Sequence, residues 1–280
     1  MKIVFSKKCL EYGDPLHPEN PERVRLAYEY LKDRNYEFIE AKPASEEDLL
    51  LVHTPAHIER IKRGNFWDPD TPAYKNIYEY ALLSVGGAII ASRELAFSLM
   101  RPPGHHAGRD GLALGAPTLG FCYFNNIAIA VKKLSKKTLI LDIDTHHGNG
   151  TQEIFQGSED VIYVSLHTRG IYPGTGLWSE GNCYNYPLPF GTTDELYLKT
   201  LEKALSSIDL SEIEIVAVSA GFDTLRGDLG GMKLSVECYR EIGRKIGELG
   251  LPVFAVLEGG YTRRLGECID NFIQGIEEAR

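Results

Sequence analysis

Thr138-Leu-Ile-Leu-Asp-Ile-Asp-Thr-His-His-Gly-Asn-Gly150 is the stretch on which the reading of the fold turns. It begins as an unbroken apolar run and ends abruptly in acids, histidines and glycines. A continuous apolar run of this length fits a strand covered on both faces, as in a parallel sheet. Ile215-Val-Ala-Val218 and Val253-Phe-Ala-Val256 have the same character. Further strands are expected at Lys2–Phe5, Glu37–Glu40, Ala96–Met100 and Val161–Leu166, with the last two apolar runs extended to Ile213–Ser219 and Val253–Leu257. Helical patterns alternate with them at Pro21–Arg34, Ser45–Val52, Pro55–Lys62, Tyr74–Leu95, Asn125–Leu134, Thr193–Ser207, Ser235–Leu249 and Thr262–Glu278. Alternating β and α units imply right-handed crossovers and a doubly wound α/β sheet. No linker or internal repeat divides the chain, so residues 1–280 are read as one domain. Two long segments, Arg101–Phe124 and Thr168–Thr192, are read as ordered functional loops because they are rich in Gly, Pro and aromatic residues.

Five strand ends carry unusual residues. Met100 runs into Arg101-Pro-Pro-Gly-His-His-Ala107, and Ile143 into the acid–histidine cluster. Leu166 is followed by His167, Ser219 by Ala-Gly-Phe-Asp223, and Leu257 by Glu-Gly-Gly-Tyr261. In an open parallel sheet ligands bind beyond the carboxyl ends of the strands. All five clusters are therefore expected on one edge.

Asp142, Asp144 and His146 stand at alternate positions, which period-two geometry would place on one side. A carboxylate and an imidazole so placed can share one cation, with Asp223, at the end of another strand, as a third ligand. Three nitrogen and oxygen ligands plus water describe a catalytic zinc site, though the same set suits iron, manganese or cobalt. Alone, Asp-x-Asp-x-His-His could equally be helix-capping acids beside polar loop histidines; Asp223 and the other strand ends tip the balance. His105 and His106 follow a constrained Pro-Pro-Gly turn. Amide hydrolysis needs a base for water and an acid for the leaving amine, and a histidine pair beside a metal can serve both. Asp142 and Asn149 are candidates to fix their tautomers. Tyr261, after two glycines, could donate to a developing oxyanion. Phe121 and Tyr123 in one loop, with Tyr172 and Trp178 in the other, could wall a narrow channel; for Tyr123 and Trp178 a small core within the loops is the favoured reading.

Bulk composition narrows the class. With 43% hydrophobic and 25% charged residues, 280 residues can bury a sizeable core. A net charge of −9 argues against nucleic-acid binding while remaining compatible with a cationic partner. Five cysteines without a C-x-x-C pair fit reduced thiols better than a disulfide framework. Met1-Lys-Ile-Val-Phe-Ser-Lys-Lys8 becomes charged too soon for a signal peptide. The apolar stretch around Ala81–Ala91 falls short of the about 20 residues needed to span a bilayer. A soluble cytoplasmic protein without membrane contact is expected, its oligomeric state open.

Taken together, His17-Pro-Glu-Asn-Pro-Glu-Arg23, Arg101-Pro-Pro-Gly-His-His-Ala107, Gly120-Phe-Cys-Tyr-Phe-Asn-Asn126, Asp142-Ile-Asp-Thr-His-His-Gly-Asn-Gly150, Gly221-Phe-Asp223 and Glu258-Gly-Gly-Tyr261 resemble the histone deacetylase family, which includes acetylpolyamine amidohydrolases and acetoin-utilisation proteins. The resemblance spans nearly the whole chain and leans to the class II branch, to which Asn149 and Glu258-Gly-Gly-Tyr261 are similar. It implies the arginase/deacetylase α/β fold, with a central eight-stranded parallel sheet between helical layers. Zinc would be held by Asp144, His146 and Asp223. His105 and His106 match the acid/base pair, Asp142 the partner of His105, and Tyr261 the carbonyl-polarising tyrosine. Phe121, Gly120 and Tyr172 match the channel, where phenylalanine is commoner than Tyr172. Leu229 falls near a gating position and Asp70 near a rim aspartate. A potassium site would use Asp142, Asp144, His146, Ser165 and Leu166. The substrate implied is an acylated lysine in a peptide or protein, or a small acylated amine. An acidic gate would have favoured polyamines, so Leu229 inclines the reading to acyl-lysine.

Three other functions compete. An acetylpolyamine amidohydrolase would share the chemistry. An arginase-like ureohydrolase would need two manganese ions and more aspartates than Phe222-Asp-Thr224 and Asn149 supply. A non-catalytic acyl-lysine binding module would have no use for Tyr261 and both histidines. Serine-hydrolase chemistry lacks its G-x-S-x-G elbow at Ser219.

Overall fold

The apolar runs become strands, and all of them join one parallel sheet. The computed structural model describes residues 1–280. The eight strands are β1 (Ile3–Phe5), β2 (Phe38–Glu40), β3 (Phe97–Ser98), β4 (Thr138–Asp142), β5 (Val161–Thr168), β6 (Cys183–Leu188), β7 (Ile215–Ala220) and β8 (Val253–Leu257). Their order across the sheet is β2-β1-β3-β8-β7-β4-β5-β6, and each neighbouring pair is parallel. β4, β7 and β8 are buried along their whole length. This is why they read as unbroken apolar runs rather than as alternations.

Helices α1 (Pro21–Asp33), α7 (Asp194–Ser206), α8 (Val236–Gly247) and α9 (Leu265–Glu278) pack on one another. A second group contains α2 (Glu46–Leu49), α3 (Pro55–Arg63), α4 (Ile77–Glu94), α5 (Asn126–Leu134) and α6 (Asn149–Phe155). Their starts are chemically marked. Asn20 caps α1 ahead of Pro21, Ser45 and Asp48 form a capping box on α2, and Thr54 caps α3 ahead of Pro55. The apolar stretch near Ala81–Ala91 belongs to α4, where a Cβ on Gly86 would stand 1.7 Å from the Lys42 carbonyl. That face is pressed against the chain leading out of β2, not exposed. No helix is long and apolar enough to cross a membrane. One cluster of 74 buried apolar residues runs through the sheet and both helical groups.

The structure corrects the sequence reading in three places. An eighth strand, β6, lies inside the stretch read as a loop. Its sequence, Cys-Tyr-Asn-Tyr-Pro-Leu, mixes polar residues with Pro187, as an edge strand tolerates. Helix α6 starts at Asn149 although Gly148, Asn149 and Gly150 are poor helix formers. Trp178 is 76% exposed and belongs to no core, whereas Tyr123 is buried with its hydroxyl donating to the Pro72 carbonyl.

Candidate active site

The carboxyl ends of β3, β4, β7 and β8 converge on a slot of about 210 Å³. It is lined by Asp70, Pro103, His105, His106, Gly120, Phe121, Asp144, His146, Tyr172, Leu229, Gly259 and Tyr261.

At its base Asp144, His146 and Asp223 bring one ligand atom each within 4.8 Å of one another. His146 Nδ1 lies 3.1 Å from Asp144 Oδ1 and 3.0 Å from Asp223 Oδ2. The remaining carboxylate atoms are oriented by the backbone: Asp144 Oδ2 accepts from Gly259 N–H at 2.8 Å and Asp223 Oδ1 from Thr145 N–H at 2.9 Å. Asp223 Oδ2 is buried and has no well-aligned hydrogen bond; the His146 imidazole 3.0 Å away is shared with Asp144. An orphaned anionic oxygen has a large desolvation penalty unless a cation meets it. The chain also approaches too closely here for side chains. A Cβ on Gly221 would sit 2.1 Å from Asp144 Oδ2, and one on Gly259 would sit 2.4 Å from Asp223 Oδ2. Burial and the neighbouring Asp144 push the Asp223 carboxyl up to about 7. His146 is pushed up to about 10: burial opposes its charge, and the two carboxylates outweigh burial. Unmet negative charge of this kind fits a divalent cation, and the donor set is that of a catalytic site with open positions.

Asp142 does not join the triad. β4 ends at Asp142, so strict alternation stops there. Its Oδ2 instead pairs with His105 Nδ1 at 3.0 Å and accepts from the Tyr163 hydroxyl at 3.0 Å. His106 Nδ1 pairs with Asn149 Oδ1 at 2.7 Å, and Asn149 donates its amide to the Ala113 carbonyl at 2.9 Å. The two imidazoles, 4.0 Å apart between ring centroids, thus meet different partners. His105 is pushed up to about 10; burial disfavours its charge, but Asp142, Asp144 and Glu258 overcome it. His106 is driven well below its ordinary range by burial, then by His105 and His146. One histidine of the pair therefore favours the proton and its neighbour the lone pair, the division that acid–base work requires.

Phe121 and Tyr172 face the slot, and Phe121 holds a left-handed φ of 69° that a bulky residue adopts only under constraint. The Tyr172 hydroxyl donates to the Thr118 carbonyl at 2.9 Å, and its ring meets His106 edge-on. Tyr261 packs edge-on against Phe121, and burial pushes its phenol well above 10, leaving it a donor. At the mouth, Asp70 accepts from Gly120 N–H and from the Thr71 and Thr118 hydroxyls. Leu229 is 56% exposed. Ser165 stands beside Asp142 in the β4–β5 register, its hydroxyl bonded to His167 Nδ1 at 2.9 Å; Leu166 is buried next to it. His167 itself reaches no part of the slot and packs against His147 under the loop that carries Tyr172.

Several supports escaped the sequence reading. Glu258 Oε2 gathers the N–H groups of Gly104 and His105 at 2.7 and 3.1 Å. Arg101, wholly buried, forms a two-pronged pair with Glu19 at 2.6 and 2.7 Å. Arg23 donates to the Gly260 and Glu258 carbonyls and lies 4.7 Å from the Tyr261 ring centroid. Tyr163 was likewise unremarked. Their only signal in the sequence was membership of the quoted motifs or of an apolar strand.

A family model described as the histone deacetylase domain matches residues 17–276. A probable deacetylase of Archaeoglobus fulgidus is 36% identical over 93% of this chain and 81% of its own length. An acetylpolyamine amidohydrolase of Mycoplana ramosa is 36% identical over 74% of this chain and 65% of its own. Among solved structures, the crystal structure of the HDA15 HD domain superposes with a TM-score of 0.87 at 31% identity, covering 99% of this chain and 89% of that one.

Proposed function

This chain belongs to the histone deacetylase family and has the arginase/deacetylase fold, and from that premise we propose that it is a zinc-dependent amidohydrolase removing acetyl groups from acylated amines, acyl-lysine in peptides or proteins before polyamines. The observation that carries the reading is the buried Asp144–His146–Asp223 cluster, its Asp223 Oδ2 lacking a well-aligned hydrogen bond, at the base of a slot with an ionisable histidine pair. Asp144, His146 and Asp223 would hold the ion, and Zn²⁺ there would supply a polarised acyl oxygen and a water of lowered pKa.

The chain's own groups provide the rest. Asn149, accepting from His106 Nδ1–H, leaves Nε2 of the neutral ring free to take the proton of the attacking water. His105, held cationic by Asp142, is placed to protect the charge balance and to give a proton to the departing amine. The Tyr261 phenol donates to the acyl oxygen as negative charge develops on it. Phe121 and Tyr172 wall the aliphatic stem and keep water out. Asp142, the main-chain oxygens of Asp144 and His146, Ser165 and Leu166 would suit a potassium ion behind the triad.

Acyl-lysine is preferred at the mouth. A polyamine brings further ammonium groups that need free carboxylates. Asp70 already accepts three donors and Leu229 is apolar. The test is to strip metal with a chelator, restore zinc stepwise, and assay an acetyl-lysine peptide beside an acetylated polyamine. Activity should vanish and return at one zinc per chain, with the larger kcat/KM on the peptide. Turnover that survives complete chelation would reject the reading.

A further inference from the structure

Tyr261 stands in a stretch with no regular structure of its own, between the end of β8 at Leu257 and the start of α9 at Leu265. Two glycines precede it, and Gly260 has φ of +117°. Such a segment does not hold a phenol in register by itself. Its carbonyl side is taken by Arg23, which donates to Gly260 O at 2.7 Å. Its N–H side has no backbone acceptor. Instead the N–H groups of Tyr261 and Thr262 converge on one oxygen, Asp228 Oδ2, at 2.8 and 3.2 Å. The other oxygen, Oδ1, accepts from Leu229 N–H at 2.7 Å.

Asp228 is itself anchored. Its N–H donates to the Leu225 carbonyl at 3.0 Å. Two residues on, the Gly230 carbonyl accepts from the hydroxyls of Thr145 and Thr168 at 3.1 and 3.0 Å. Thr145 also donates its N–H to Asp223 Oδ1. A continuous set of hydrogen bonds therefore runs from the candidate metal ligand through Thr145 and the Asp228 loop to the backbone of Tyr261. The same loop carries Leu229 at the mouth.

We propose that Asp228 is the positioning residue for Tyr261: its carboxylate fixes the Tyr261 backbone relative to the Asp144–His146–Asp223 base and so sets where the phenol meets the substrate oxygen. The inference rests on the reading that Tyr261 polarises an acyl group. A carboxylate suits the task because it only accepts, and it can serve three N–H donors with charge-assisted bonds. An asparagine could present its oxygen to Tyr261 and Thr262, but its amide would then face the Leu229 N–H, donor against donor.

The test compares the parent, D228A, D228N, Y261F and D228A/Y261F, each loaded with zinc, on an acetyl-lysine peptide. Zinc content and amide hydrogen exchange over residues 258–264 are measured alongside. D228A should lower kcat by about tenfold or more, since small misplacements of a catalytic group have effects of that order. KM should change by less than about threefold and zinc content not at all, because no substrate-binding or metal-binding atom has been removed. Exchange over 258–264 should quicken. The double variant should be no slower than Y261F alone, because a misplaced phenol and an absent one remove the same interaction. D228N should fall between parent and D228A. Parent-like kcat in D228A, multiplicative losses in the double variant, or loss of zinc would each overturn the proposal. Should the parent show no amidase activity, the functional reading fails by itself. The exchange comparison then decides the clamp: unchanged protection in D228A, or in D228N if D228A does not fold, would overturn it.

Discussion

Replacing Asn149 with alanine separates orientation from stability at the histidine pair. Asn149 is fully buried and spans two groups: its oxygen faces His106 Nδ1 at 2.7 Å, and its amide donates to Ala113 O at 2.9 Å. Asn149→Ala leaves the buried His106 N–H unpartnered and removes one of two donors to Ala113 O, which keeps the Ala116 N–H at 3.0 Å. One such orphan costs about 1–3 kcal/mol, so the fold should lose about that much. The kinetic effect has a different origin. Without the acceptor, His106 no longer favours the tautomer that leaves Nε2 free. Partners of this kind are worth about 10–100-fold in activity, or about 1.4–2.7 kcal/mol in the barrier. Asn149→Asp restores an acceptor but sets a second carboxylate oxygen against Ala113 O. It should therefore recover kcat to within about tenfold of the parent while remaining less stable than the parent. The added charge also favours protonated His106, so the acid limb of kcat/KM should move to higher pH. Urea denaturation and pH-dependent steady-state kinetics on an acetyl-lysine peptide measure both effects. If Asn149→Ala turned over within threefold of the parent, the role given to the His106–Asn149 pair would be wrong.

Tyr261→Phe should bind zinc normally yet lose about 10²–10³-fold in kcat, the usual effect of deleting one oxyanion donor; near-parental turnover with full zinc occupancy would remove Tyr261 from the mechanism. Glu19→Ala strands the wholly buried Arg101 and should destabilise the fold by about 3–5 kcal/mol, whereas a shift in denaturation midpoint worth under about 1 kcal/mol would show the ion pair to be incidental. Burial holds His53 at about 3 and His57 at about 4, so both stay neutral in the fold while the unfolded chain takes up protons below about 6.5. With more protons bound by these two in the unfolded state, their contribution to stability is complete above about pH 6.5 and falls as pH drops toward 4, by as much as about 1.4 kcal/mol per unit for each histidine; a His53→Gln/His57→Gln variant whose urea midpoint shifted between pH 7.5 and 5 as the parent's does would contradict this.

Residue order carried the parts of this protein that repeat locally or end sharply. Leu139-Ile-Leu141 and Ile215-Val-Ala-Val218 announce buried parallel strands because an interior strand has no polar face to show. Once the sheet is parallel, the polar residues after Met100, Ile143, Ser219 and Leu257 must share an edge, so the triad and the histidine pair can be gathered without coordinates. Where local signal was weak, order misled. β6 is an edge strand with Pro187 in it, and α6 begins on Gly148-Asn-Gly150 because Asn149 is held by His106 and Ala113 rather than by helix propensity. Trp178 was placed in a core from its residue type alone, and the loop instead leaves it in solvent.

Order by itself, then, determined seven of the eight strands, their common edge and the residue types assembled there. The folded chain alone decided which charged groups are partnered. Arg101 meets Glu19 across 82 residues and Tyr261 meets Asp228 across 33. The division has a physical cause. Periodicity reports how each residue meets its near neighbours and the nearest face. The state of a buried carboxylate depends on donors brought from distant segments, as when Asp223 Oδ1 takes the Thr145 N–H across 78 residues while Oδ2 is left without a well-aligned one.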